Sequence, residues 1–126
     1  MKYAILIYSD EKAAAKMTEA DQQKEMAAYG EYTAKLVAAK ATLGGAALHP
    51  ATSATTIRVR NGKTATTDGP FAETKEQFGG YYLIEAKNLD EAIKWAAQCP
   101  GANNGSVEVR PIAIISDTTG NFEFIQ

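Results

Sequence analysis

Four ionisable side chains crowd into nine residues of the run Asp68-Gly-Pro-Phe-Ala-Glu-Thr-Lys-Glu76. Carboxylates at this density can do acid/base work if burial raises the pKa of one of them, because desolvation disfavours the charged form. Asp68 and Glu73 are the candidate acid/base pair, and Lys75 is a candidate ligand contact. Each residue also has a structural reading. Asp-Gly-Pro is a strong turn signal, since Asp bonds its own backbone, Gly admits φ > 0 and Pro fixes φ. The other three charges would then form a solvated, mutually paired loop, worth little to stability. A guanidinium fork can hold an anionic group bidentately, and Arg110 sits with Glu108 on a segment otherwise rich in apolar residues. A Glu–Arg pair there serves either anion binding or the fixing of an interface. Tyr29 and Tyr32 are three apart, so one packs while the other reaches a cleft or a partner. The arrangement defines one hypothesis: a cleft bordered by Asp68, Glu73 and Lys75 and reached by Tyr32 and Arg110.

Other chemistry is poorly supported. His49 has no Cys, Asp or Glu at metal-ligand spacing, so no metal site is expected. A single cysteine, Cys99, excludes an intramolecular disulfide and a Cys-based zinc site, and it reads as a packing residue just before Pro100. Gly44-Gly45 and Gly79-Gly80 lack the spacing of a phosphate loop or a dinucleotide fingerprint, so no cofactor is expected.

The elements that must position these residues follow from periodicity and caps. Lys2 to Tyr8 is a strand apolar on both faces, which calls for cover on both sides. Thr18 caps a helix with Asp21 at its third position, and Met26, Tyr29, Thr33, Leu36 and Val37 recur at helical spacing to about Lys40. Gly44-Gly45 ends that pattern, and Ala46-Ala47-Leu48 begins a second strand. Asn61-Gly62 joins Thr55–Arg60 to Lys63–Thr67 in a hairpin with a type I′ turn. A strand follows from Gly80 to Glu85. Asn88, with Glu91, caps a second helix whose stripe is Leu89, Ala92, Ile93 and Ala96, with Trp95 to its side. Val107 to Ile115 is a long last strand, and Asp117 to Asn121 turns into Phe122–Ile125.

Without the hairpin this order is βαββαβ, the ferredoxin-like arrangement of an α+β domain. Its two helices cover one face of the sheet. A second copy of the chain is the simplest cover for the other, since two-fold homodimers are the commonest oligomers. The 126 residues are read as one domain, 1–126, with a core of its own. Thirteen basic against fifteen acidic side chains argue against non-specific nucleic-acid binding. The longest early apolar run, Ala4 to Tyr8, is too short for a signal core or a membrane span, so a cytoplasmic protein with reduced Cys99 is expected.

Several segments together resemble the YCII-related family, in its DGPF-type branch. They are the opening Met1-Lys-Tyr-Ala-Ile-Leu-Ile-Tyr8, Tyr29-Gly30 with Tyr32, Thr56-Ile-Arg-Val-Arg60 and the whole run Asp68–Glu85. Asp90-Glu-Ala-Ile-Lys-Trp-Ala96 and Gly105-Ser-Val-Glu-Val-Arg-Pro111 match its second helix and last strand. The likeness reaches about Ile112, and residues 116–126 read as a C-terminal extension. The resemblance implies a ferredoxin-like fold, with an inserted β-hairpin, that pairs into a dimeric α+β barrel. Related YCII proteins carry a His–Asp pair proposed as an acid/base site, with the histidine in the first helix. This chain has Tyr29 and Tyr32 there instead. Some DGPF-type members are encoded beside extracytoplasmic-function sigma factors.

Three functional classes follow. The first is a small-molecule-binding or accessory homodimer without a defined reaction, favoured by the missing histidine and nucleophile pairing. The second is an acid/base enzyme, isomerase- or lyase-like, using Asp68 and Glu73. The third is a protein-interaction module linked to sigma-factor regulation.

Overall fold

The computed structural model describes residues 1–125. The elements in chain order are β1 (Lys2–Ser9), α1 (Glu11–Ala14), α2 (Glu19–Ala38), β2 (Thr42–Ala47), β3 (Thr55–Arg60), β4 (Lys63–Asp68), β5 (Gln77–Glu85), α3 (Leu89–Gln98), α4 (Gly101–Asn104), β6 (Ser106–Pro111), β7 (Ile114–Ser116) and β8 (Phe122–Phe124). A 3-10 turn occupies Ala51–Ser53. The main sheet runs β2-β5-β1-β6, all neighbours antiparallel. With α2 and α3 as the two long helices, this is an α+β ferredoxin-like fold.

Local chemistry starts each helix where the sequence places it. The Thr18 hydroxyl accepts from the Asp21 N–H at 3.1 Å and the Asn88 side chain from the Glu91 N–H at 2.9 Å. Each satisfies a donor that the first turn leaves without a carbonyl partner. Asn61 (φ 52°) and Gly62 (φ 73°) both take positive φ, as the type I′ turn between β3 and β4 requires.

The core lies between the helices and one face of the sheet. Tyr3, Ile5 and Ile7 of β1 pack with Ile84 of β5, Leu36 and Tyr32 of α2, Ala92 and Ala96 of α3, and Cys99. Burying each large apolar side chain contributes about 1.5–3 kcal/mol. The alternate residues of β1, Ala4, Leu6 and Tyr8, look out from the opposite face and are half-buried. Beside them stand Tyr81 and Leu83 of β5 and Glu108 and Arg110 of β6. Among the described residues no helix covers this second face.

Four expectations need correction. On α2 the stripe is rotated: Tyr32 and Leu36 are buried, whereas Met26 (76% exposed) and Val37 (57%) face solvent. On α3 the small residues Ala92 and Ala96 make the close contact, leaving Leu89 and Ile93 about half exposed. β2 starts at Thr42 and runs through Gly44-Gly45, which sequence pattern alone treats as a break. Gly44 takes φ +122° at a bulge. A side chain on Gly45 would run into the Tyr81 carbonyl, so glycine here lets β2 lie close against β5. Finally, the last strand is broken. Pro111 has no N–H to give the ladder, Ile112 N–H reaches Lys2 O at 2.9 Å, and the chain then leaves the sheet to form the separate ribbon β7–β8.

Candidate functional site

The doubled glycines that let β2 and β5 approach also leave space above them. Ala47 of β2 lies opposite Gly80 of β5, and Leu48 N–H bonds the Gly79 carbonyl at 2.9 Å. With no side chains at Gly45, Gly79 and Gly80, part of the floor on the helix side of the sheet is bare peptide, beside Ile7 and the Ala47 methyl. A cavity of about 480 Å³ opens there, roofed by Tyr29 and Thr33 of α2. That is within the ~300–1,000 Å³ of small-molecule sites. Its lining is mostly apolar and includes no Asp, Glu, Lys, Arg or His.

Hydroxyl groups supply the polar character. Thr33 Oγ1 and the Tyr82 hydroxyl are hydrogen-bonded at 2.8 Å, and Thr42 Oγ1 accepts from the Gly44 N–H at 3.2 Å. Tyr29 lines the cavity, and its hydroxyl lies beside Gly101 and the buried Cys99 thiol. Burial is the main cause that pushes the Tyr29 pKa up, with the Cys99 contact adding to it. Cys99 is raised by burial as well, partly offset by the backbone N–H of Gly101 and by Tyr29. Both groups are therefore neutral at ordinary pH. Gly101 fixes this arrangement: a Cβ there would stand 2.7 Å from the Tyr29 hydroxyl and 2.8 Å from Ile7 Cγ2.

Of the residues singled out from sequence, Glu73 and Lys75 border one cavity, while Asp68, Tyr32 and Arg110 lie outside it. Tyr32 is 3% exposed, and its hydroxyl donates to Trp95 O at 2.8 Å. Burial is the first cause of its raised pKa. Its ring meets Tyr82 edge-on with centroids 5.2 Å apart, so it is a core residue, and Tyr29 takes the cleft position instead. Asp68 ends β4, exposed, opposite Thr55 at the base of the hairpin. The turn beside it is held by Gly69 N–H to Ala54 O (2.6 Å) and by the Thr56 hydroxyl to Gly69 O (2.9 Å).

Glu73 and Lys75 border a second, more polar cavity of about 550 Å³, with Asp10, Glu11, Lys12 and Gln77. The Glu11 carboxylate is already engaged there, accepting from the Ala51 N–H at 2.9 Å. Glu76 ties the loop to β6 by accepting from the Ser106 hydroxyl at 2.6 Å. Arg110 is exposed on the open face of the sheet, four residues along β6 from Ser106, which is about 13 Å of strand. Arg110 and Tyr32 thus belong to opposite faces. Glu108, its neighbour on that face, accepts from the Tyr8 hydroxyl at 3.3 Å. His49 is exposed in the segment after β2. Among the described residues no cluster of three or more His, Cys, Asp or Glu could hold a metal ion, and no helix is long and apolar enough to cross a membrane.

Comparison with known proteins places this geometry in a family. A sequence model of the YCII-related domain matches residues 1–116. The chain belongs to the YCII-related family. An uncharacterised protein of Rhizobium meliloti (strain 1021) is similar to it, 41% identical over 116 residues that cover 90% of this chain and 94% of the relative. The family match takes in α2, both glycine pairs and β6, hence the whole 480 Å³ cavity, while β8 lies beyond it. In this YCII-related chain the first long helix presents Tyr29, a weak acid, to the cleft.

Sequence reasoning missed Thr33, Thr42, Tyr82 and the glycine floor as a unit. The signal was present: two Gly-Gly pairs, which fall on adjacent strands, staggered along them, when β2 pairs with β5.

Proposed function

We propose that this YCII-related protein is a small-molecule-binding homodimer whose ligand occupies the cleft between α2 and the β2–β5 floor, and that it has no reaction of its own. The carrying observation is the 480 Å³ cavity, lined by apolar surface and hydroxyl groups with no ionised side chain in it. Such a lining binds and orients, but offers no ionised base or nucleophile. The dimer is supported by the sheet face carrying Ala4, Leu6 and Leu83, which no helix among the described residues covers. The β7–β8 ribbon borders that face, since Lys2 Nζ meets Glu123 at 3.3 Å, and it exposes Ile114, Phe122 and Phe124.

The test is a thermal-shift screen of the full chain against a metabolite library, repeated on Gly79→Leu. A Cβ at Gly79 meets only Ser9 Oγ, at 3.9 Å, so the leucine side chain can enter the cavity without displacing backbone. At least one metabolite should raise the melting temperature of the parent and lose that effect in the variant. A library with no stabilising compound, or stabilisation unchanged by Gly79→Leu, overturns the proposal.

A second reading is an acid/base enzyme using Glu73. It is favoured by one observation, the 550 Å³ cavity that Glu73 and Lys75 border. Against it, both side chains are exposed, and a solvated carboxylate lacks the desolvation that tunes a general base. A metabolite consumed during the screen, rather than simply bound, would favour this reading.

A further inference from the structure

We infer that the occupant of the α2–β2–β5 cleft is a neutral, planar molecule: an aromatic ring system bearing a hydroxyl or carbonyl group. The inference rests on the binding role proposed above and names the chemical class it serves. Three independent features of the cavity lead to it.

The first is charge. No Asp, Glu, Lys, Arg or His lines the cavity, so an ionised ligand would lose hydration and gain no counter-charge. The second is shape. At Gly45, Gly79 and Gly80 the floor consists of peptide groups with nothing standing on them, and the aromatic residues Tyr29, above, and Tyr82 line the space over it. Flat peptide and aromatic surfaces gain most contact from a flat ligand, and aromatic neighbours favour ring against ring. The third is the polar handle. Thr33 and Tyr82 share one hydrogen bond between two hydroxyls, which leaves one O–H proton and free lone pairs for a ligand. The pair can give that proton to a carbonyl or accept one from a hydroxyl. The volume, about 480 Å³, leaves room for fused rings.

The experiment is calorimetric titration of the full chain with three probes: β-naphthol (neutral and flat), β-naphthoate (the same rings with a charge) and adamantanol (neutral and globular). β-Naphthol should bind at least about tenfold tighter than β-naphthoate, reflecting the cost of an unpaired buried charge. It should also bind more tightly than adamantanol. Thr33→Val keeps the side-chain shape but removes the hydroxyl, and should weaken β-naphthol about fivefold, the worth of one hydrogen bond. β-Naphthoate binding as well as β-naphthol overturns neutrality, and adamantanol matching β-naphthol overturns planarity. Unchanged affinity in Thr33→Val overturns the assigned handle. No binding of any probe to the parent chain overturns the inference outright. The cleft's role as a binding site is then judged separately, by whether metabolite stabilisation disappears in Gly79→Leu.

Discussion

Gly69 illustrates how much a single backbone angle carries. It holds φ +100°, and nothing lies within 4 Å of where its Cβ would be. Space is therefore not the constraint; the angle is. Gly69→Ala should lower stability by about 1 kcal/mol, read as a shift in the denaturation midpoint, with no change in the core. The Asp-Gly-Pro turn was legible because it is local chemistry, each residue acting on its own backbone. The role of Tyr32 was not. Two tyrosines three apart on a helix look equivalent in sequence. Only the Trp95 carbonyl, brought in by α3, decides that Tyr32 packs and Tyr29 lines the cleft.

Elements were readable where their own ends define them, and obscure where a distant partner does. Thr18 and Asn88 announce α2 and α3 through caps that involve only the first turn. The start of β2 depends instead on Tyr82–Ile84 across the sheet, so its glycines look like a break until β5 is placed beside them. The same limit hid the floor of the cleft. The β7–β8 ribbon has a local lock of its own: Asp117 accepts from the Thr119 N–H at 2.8 Å, its hydroxyl at 2.6 Å and the Asn121 N–H at 3.0 Å. These bonds, the Thr119 hydroxyl first, hold its pKa down at about 2. A carboxyl depressed on folding contributes stability that is present above its unfolded value, ~3.9. That contribution is lost as pH falls from there through about 2. The Thr119 and Asn121 amide resonances should move toward random-coil positions across that window, and in Asp117→Ala they should show no such titration.

At the scale of the whole molecule, one sheet face is buried by helices and the other is left with Ala4, Leu6, Tyr8 and Leu83. A strand apolar on both sides was the clue in sequence, and the same imbalance persists in three dimensions. A homodimer burying about 800 Å² or more per partner would resolve it. Light scattering should give twice the chain mass at micromolar concentration, and a monomer there would refute the dimer. Cys99 offers a different measurement. Its thiol is fully buried, 0% exposed, at the seam where α3, α4, β1 and Tyr29 meet. A thiol reagent can reach it only when that seam parts, so in native buffer the rate of alkylation counts openings of the helical layer. Modification should be far slower than in denaturant, and a compound seated against Tyr29 should slow it further in proportion to its occupancy. A burial that contributes only packing at rest thus becomes a timer, reporting how often the protein breathes and whether the cleft is filled.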